Sequence, residues 1–192
     1  YDGEPLLPVA ELGLFGEHNV ANAMAAAAAA LAMGLDREAV REGLRSFAGV
    51  PHRLEQVAEI GGVRFVNDSK ATNVASATVG IRAFEGGVHA ILGGSEKDEP
   101  FAPLNEPLAE RARAAYLIGA TAERMARELA PAVEAGVELH RCADLEDAVR
   151  RAAAAAAPGE VVLLSPACAS FDAFENYEAR GDRFREIVGE LG

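Results

Sequence analysis

Two lysines carry the first chemical signal in this sequence. Of 18 basic residues only Lys70 and Lys97 are lysine, Lys70 in NDSKATN after the apolar run Val63 to Val66, and Lys97 in GGSEKDEP after Ala90 to Leu92. An ammonium is a compact point charge that can follow a phosphoryl group as its geometry changes, whereas a guanidinium is a planar fork. Ser69 and Thr72 flank Lys70, and small residues of this kind let backbone N–H groups approach an anion. Other readings stay open: Glu96, Asp98 and Glu99 could simply pair with Lys97, and Asp68 could form an Asx turn or a helix cap. Ser170, in SPACASFDAF after Val161 to Leu164, is either a further anion contact or a cap for the last helix. Asn19 and Asn22 stand three apart on one helical face, where a single ligand could meet both amides, or where both serve as N-terminal turn residues.

The elements around these residues follow from periodicity. Gly16 to Met33 and Arg37 to Ser46 read as helices, with Gly34 as a stop and Asp36 as a cap. At Gly49-Val50-Pro51 the pattern changes, which marks a domain boundary. Leu54 to Ile60, the Gly61-Gly62 turn and Val63 to Val66 read as a β-hairpin. Strand-like runs then alternate with helical ones: Ala90 to Leu92, Leu104 to Arg113, Ala115 to Ile118, Ala122 to Leu129, Val137 to His140, Leu145 to Ala157, Val161 to Leu164, and a last helix ending near Leu191. The expected fold is α/β, a mostly parallel sheet with helices on both faces. Ligands of such sheets bind outside the carboxyl ends of the strands, where NDSKATN, GGSEKDEPF, GAT and SPACASFDAF all fall.

Composition limits the partners. The 192 residues, half of them hydrophobic and about a quarter charged, suffice for a real core. A net charge of −12 argues against nucleic acid and anionic membranes as partners, so any phosphate must be held locally. Cys142 and Cys168 form no CxxC pair and fit a reducing compartment. His18 and His52 lack a partner at metal spacing, His89 and His140 lie in strand runs, and no metal site is expected. Ala21 to Met33 is too short to span a bilayer, so a cytoplasmic location is expected. GxxxxGK[ST], GxSxG and GxGxxG are all missing.

Five blocks, GEHNVANAMAA, GVPHRLE, NDSKATN, ILGGSEKD and LLSPACASFDAFENYEARGDRF, occur in this order and closely resemble the muramyl ligase family in its D-glutamate-adding branch. The resemblance runs from about Leu12 to the end. It implies a C-terminal portion of a three-domain enzyme. Residues 1–50 would be the last helices of the central ATPase domain and 51–192 a Rossmann-like domain that brings in the amino acid, with the P-loop and most Mg2+ ligands upstream. The implied reaction phosphorylates the carboxylate of UDP-N-acetylmuramoyl-L-alanine with ATP. The amine of D-glutamate then attacks the acyl phosphate, in the cytoplasm and as a monomer. This portion is expected to be inactive alone.

By the same resemblance Lys70 contacts the phosphoryl group, Asp68 the ribose, Arg53 the ribose and phosphates, and Asn22 the adenine with support from Asn19. Thr72 and Lys97 form one donor set for D-glutamate; Ser170 with the backbone N–H groups near Phe171 and Tyr177 forms the other. One ATP would touch both sides of the boundary at Pro51. The sequence departs from the family pattern at Ser95, commonly aspartate, and at Phe171 and Tyr177, which puts a side-chain contact at 95 in doubt. The alternative is an autonomous nucleotide- or dicarboxylate-binding module without catalysis.

Overall fold

A computed structural model describes residues 3–96 and 98–192, so the expectation placed on Lys97 lies outside the described residues. The chain divides into two compact units, one ending at Val50 and one beginning at Pro51. In the first unit, α1 (Glu17–Ala32) starts after Gly16 and ends ahead of Gly34, both glycines at positive φ. Asp36 caps α2 (Arg37–Ser46) by accepting from the N–H groups of Glu38 and Ala39, both at 3.0 Å. Arg41 Nε donates to the Leu6 carbonyl (2.8 Å) and Arg45 pairs with Glu11 (2.7 Å), which pins the preceding segment along α2.

The second unit is a six-stranded sheet. In chain order it comprises β1 (Glu55–Ile60), β2 (Val63–Asn67), α3 (Val74–Arg82), β3 (Val88–Gly93), α4 (Asn105–Arg111), β4 (Ala112–Ile118), α5 (Ala122–Glu128), α6 (Ala130–Glu134), β5 (Glu138–Arg141), α7 (Leu145–Ala155), β6 (Val161–Leu164) and α8 (Tyr177–Gly189). The strand order is β1-β2-β6-β3-β4-β5. Only β1 is antiparallel, joined to β2 across Gly61 and Gly62 at φ 59° and 79°, the left-handed pair that suits a tight hairpin. The last strand, β6, lies between β2 and β3, with Phe65 opposite Val162 and Ala90 opposite Leu163.

Strand alternation sends Phe65, Val162, Leu164, Ile91, Tyr116 and Ile118 to one face, where they pack with Val149 and Ala152 of α7 and Phe184 and Ile187 of α8. Val66, Leu163, Ala90, Leu92, Ala115 and Leu117 alternate with them, while α4 contacts β4 and α5 contacts β3 and β4. The α/β sheet with helices is the fold expected. Among the described residues no helix is long and apolar enough to cross a membrane.

Several element bounds differ from expectation, and α3 and α6 are additional to the expected elements. The helix expected to reach Arg113 stops at Arg111 and the chain passes directly into β4 at Ala112, because alanine-rich Ala112 to Ala115 carries no periodic signal in either direction. The helix expected to reach Ala157 ends at Ala155, ahead of Pro158-Gly159. Asn73, the last residue of NDSKATN, caps α3 by accepting from the Ser76 N–H at 2.8 Å. That cap fixes where the loop after β2 ends. Replacing it, Asn73→Ala, is expected to cost about 1 kcal/mol, read as a lower urea midpoint at an unchanged denaturant slope.

Candidate functional site

The loops after β2, β6, β3 and β4 leave adjacent strands at their carboxyl ends, so topology alone brings residues about a hundred positions apart to one rim. In the loop after β2, Asn67 is buried and spends its amide locally. Its Oδ1 accepts from the Ser69 N–H (3.1 Å), and its Nδ2 donates to the Gly181 carbonyl (3.2 Å) and lies 3.1 Å from His52 Nδ1. The Lys70 N–H donates to the His52 carbonyl at 3.0 Å. His52 sits at φ 61° and Leu54 at φ 44°, conformations that an L side chain adopts only when its surroundings enforce them. The Lys70 side chain is exposed, donates from Nζ to the Tyr177 hydroxyl (3.1 Å), and has its ammonium 5.0 Å from the centroid of that ring. Its direct partners are therefore a neutral hydroxyl and a π-face, and the Glu178 carboxylate, bonded to the Tyr177 side chain, is near enough to feel the ammonium charge.

Asp68 is 5 % exposed. Its Oδ1 accepts from the Leu54 N–H at 3.2 Å and its Oδ2 from Ser165 Oγ at 2.8 Å. Burial pushes its carboxyl up to about 6, while those two donors and the charge of Arg53 pull the other way. Both donors are distant in sequence, so these bonds are neither an Asx turn nor a helix cap: the carboxylate pins the segment entering β1 to Ser165, just past β6. Arg53 itself is exposed, and Thr72 is half-buried with its N–H on the Lys70 carbonyl at 2.9 Å.

The loop after β6 turns through Ala167 at φ 60°. Ser170 is 2 % exposed, and its Oγ has no hydrogen-bond partner among the described residues. An unsatisfied buried hydroxyl costs about 1–3 kcal/mol, so the turn holds this donor ready at a standing cost. Phe171, its neighbour, is 74 % exposed. Asp172 staples three loops together: its N–H donates to Ser95 Oγ (2.9 Å), its Oδ1 accepts from that hydroxyl (3.3 Å), and its Oδ2 accepts from the Ala120 N–H (3.1 Å). Ser95, where the side-chain contact was in doubt, is accordingly part of the scaffold. Tyr177 opens α8, and the first N–H groups of a helix have no acceptor inside it.

Two rim residues have no role among the expectations from sequence, although both lie in the blocks that carry the resemblance. His52 is buried between the Asn67 amide and an edge-on Tyr177 ring with centroids 6.0 Å apart. Arg180, 1 % exposed, donates from Nε to Ser69 Oγ (3.0 Å), from Nη2 to the carbonyls of Ser69 (2.9 Å) and Cys168 (3.0 Å), and from Nη1 to the Ala169 carbonyl (3.3 Å). An arginine one turn into a polar helix gives no hint of burial. In the first unit, Asn19 Nδ2 donates to the Phe15 carbonyl (2.8 Å) and Asn22 Nδ2 to Asn19 Oδ1 (3.5 Å), so the two amides do share a face of α1. Among the described residues no group of three or more His, Cys, Asp or Glu side chains could hold a metal ion.

Against known proteins, the family model for the glutamate ligase domain of Mur ligases matches residues 52–168. The chain is 50 % identical over 185 residues to the UDP-N-acetylmuramoylalanine–D-glutamate ligase of Acidobacterium capsulatum, covering 96 % of this chain and 39 % of that protein. It therefore spans about two fifths of the length of the curated relatives it matches. Among solved structures, the UDP-N-acetylmuramate-alanine ligase of Thermotoga maritima superposes with TM-score 0.65 at 18 % identity, over 93 % of this chain and 39 % of that one. Folylpolyglutamate synthase of Mycobacterium tuberculosis, solved with ADP, gives 0.64 at 19 %, over 89 % and 41 %.

The buried Asp68 generates a pH prediction. Its folded value of about 6 lies above the ordinary 3.8 expected unfolded. Its contribution to stability is therefore fully present below the unfolded value and is lost as pH rises through the folded one. The gap corresponds to about 3 kcal/mol at most. Thermal melts of Asp68→Asn should show a smaller fall in stability between pH 4 and pH 7 than the parent, and equal falls would contradict the assignment.

Proposed function

The chain belongs to the Mur ligase family through its glutamate ligase domain, and from that membership we propose that it serves an ATP-dependent, ADP-forming ligase that adds D-glutamate to UDP-N-acetylmuramoyl-L-alanine. That reaction is a step of cytoplasmic peptidoglycan synthesis and so supports cell shape and division. Residues 1–50 then contribute to the nucleotide site and 51–192 receive the amino acid, in a monomeric enzyme. The observation that carries the reading is the Ser170 hydroxyl. It is a buried donor without an acceptor among the described residues, on a rim whose neighbouring loop carries an exposed ammonium that donates to a phenol. A carboxylate is the guest that would satisfy it, and D-glutamate brings two.

Each role follows from what its side chain has available. Lys70 approaches the transferring phosphoryl group and the tetrahedral intermediate, where negative charge gathers on oxygen and a fixed cation lowers the barrier. Ser170, with the backbone N–H groups of Phe171 and Tyr177, takes one carboxylate of D-glutamate; Thr72 and Lys97 take the other. Arg53 and Asp68 face the ribose and phosphates. Asp68 does so with lone pairs left over from its two internal bonds, as an acceptor for a hydroxyl. Asn19 and Asn22 offer amides of the kind that read adenine. Mg2+, when bound, would screen the phosphate charges; its ligands are assigned elsewhere in the enzyme.

Steady-state ADP release by the full-length protein tests these roles. Lys70→Ala should lower kcat about 100-fold, since one charge-stabilising contact is worth ~3 kcal/mol, with little change in the D-glutamate KM. Ser170→Ala should instead raise that KM about tenfold at nearly constant kcat. An unchanged turnover number in the first variant, or an unchanged KM in the second, rejects the corresponding role. Tight calorimetric binding of ATP or D-glutamate by residues 1–192 alone would favour the autonomous binding module instead.

A further inference from the structure

Taking a guanidinium out of water is costly unless a carboxylate compensates it. Arg180 is 1 % exposed, yet all four of its acceptors are neutral: one hydroxyl and three carbonyls. Among the described residues no carboxylate is bonded to it. Burial lowers its value to about 10, against the opposing pull of Cys168 and Asp172, which leaves it charged at neutral pH. Its acceptors are not scattered. Nε and Nη2 hold Ser69, next to Lys70, while Nη1 and Nη2 hold Ala169 and Cys168, next to Ser170.

The surroundings are shaped to admit this fork. A Cβ at Gly94 would lie 2.2 Å from the Ala169 carbonyl oxygen and 3.2 Å from Arg180 Nη1, and one at Gly181 would lie 2.2 Å from His52 Nδ1. Ser69 Oγ, which accepts from Arg180, donates in turn to the Tyr177 carbonyl at 2.8 Å, so the clasp closes on its own helix. The Ser95 N–H reaches the same Ala169 carbonyl at 2.9 Å and brings in the loop after β3.

We propose that Arg180 is a positioning residue that locks the loop of Lys70 to the loop of Ser170, so that the phosphoryl-side cation and the carboxylate-side hydroxyl are set as one unit. It acts through those loops without touching the substrates. Its charge, met by no bonded carboxylate, biases the same rim toward anions. A planar fork with fixed donor directions is required for this; a lysine keeps the charge and loses the geometry. Freed from the clasp, Lys70 and Ser170 would each still exist but in no fixed relation, and misplacement by about 1 Å can cost on the order of a hundredfold in rate.

The proposal rests on the functional reading above, and the experiment separates the two. In the full-length protein, Arg180→Lys is compared with Lys70→Ala and Ser170→Ala at a temperature well below the melting point of each. Arg180→Lys should lower kcat at least tenfold and raise the D-glutamate KM at least threefold together, combining the two single-residue signatures. A merely structural role would lower the melting temperature and leave both constants of the folded protein within twofold of the parent. That result, with Lys70→Ala and Ser170→Ala impaired, overturns the positioning role alone. Unimpaired Lys70→Ala and Ser170→Ala would overturn the functional reading and this inference with it. Should Arg180→Lys not fold, Ser69→Ala decides. It removes one acceptor and keeps the guanidinium, and is expected to lower kcat three- to tenfold; unchanged constants overturn the proposal.

Discussion

Polar groups buried at the rim of the sheet must satisfy one another, and everything else about the site depends on how they do so. Asp68 is held by Ser165 and a backbone N–H, Ser69 by Arg180 and the Tyr177 carbonyl, and Asn67 by the carbonyl of Gly181 and its own turn. Inside a protein such bonds are strong because water does not compete, and each missing partner is correspondingly costly. The network fixes the backbone of two loops without consuming Lys70 or Ser170. One is left exposed on an aromatic ring, and the other is left buried with its oxygen unsatisfied. Rigidity beneath and unspent donors above is the arrangement an anion site needs, because the donors then cost little to reorganise when the guest arrives.

Much of this is legible in the sequence, for identifiable reasons. The hairpin at Gly61-Gly62, the buried strands and the positions of the four loops follow from alternation and turn chemistry, which are local. Strand order is not local. Nothing in VVLL says that β6 inserts between β2 and β3, yet that insertion sets NDSKATN beside SPACASFD. The seam at Arg111-Ala112 is hidden because alanine serves helix and strand alike. The start of α3 is hidden because Asn73 reads as the end of a chemical motif when it is also a cap.

Within the site, residue type points to Lys70 and Ser170 but does not tell exposed from buried. The low exposure of Asp68 and Arg180 comes from long-range packing: Gly80 leaves room above Asp68, where a Cβ would lie 2.6 Å from Oδ2, and Gly181 lets α8 approach His52. A charged residue whose burial depends on a glycine elsewhere in the chain carries no mark of its own. Ser95 shows the converse. Its departure from the family pattern suggests a lost contact, and the hydroxyl instead caps the N–H of Asp172 and ties two loops.

The central place of β6 also has a bearing on biosynthesis. The strand that completes the middle of the sheet is the last of the six to leave the ribosome, and until it arrives β2 and β3 have no partner on their facing sides. The nascent chain therefore carries two open, apolar hydrogen-bonding margins while the intervening hundred or so residues are made, a condition that invites chaperone capture and self-association. Closure of the sheet waits on its final strand, and the rim that carries Lys70 and Ser170 comes into being only with it.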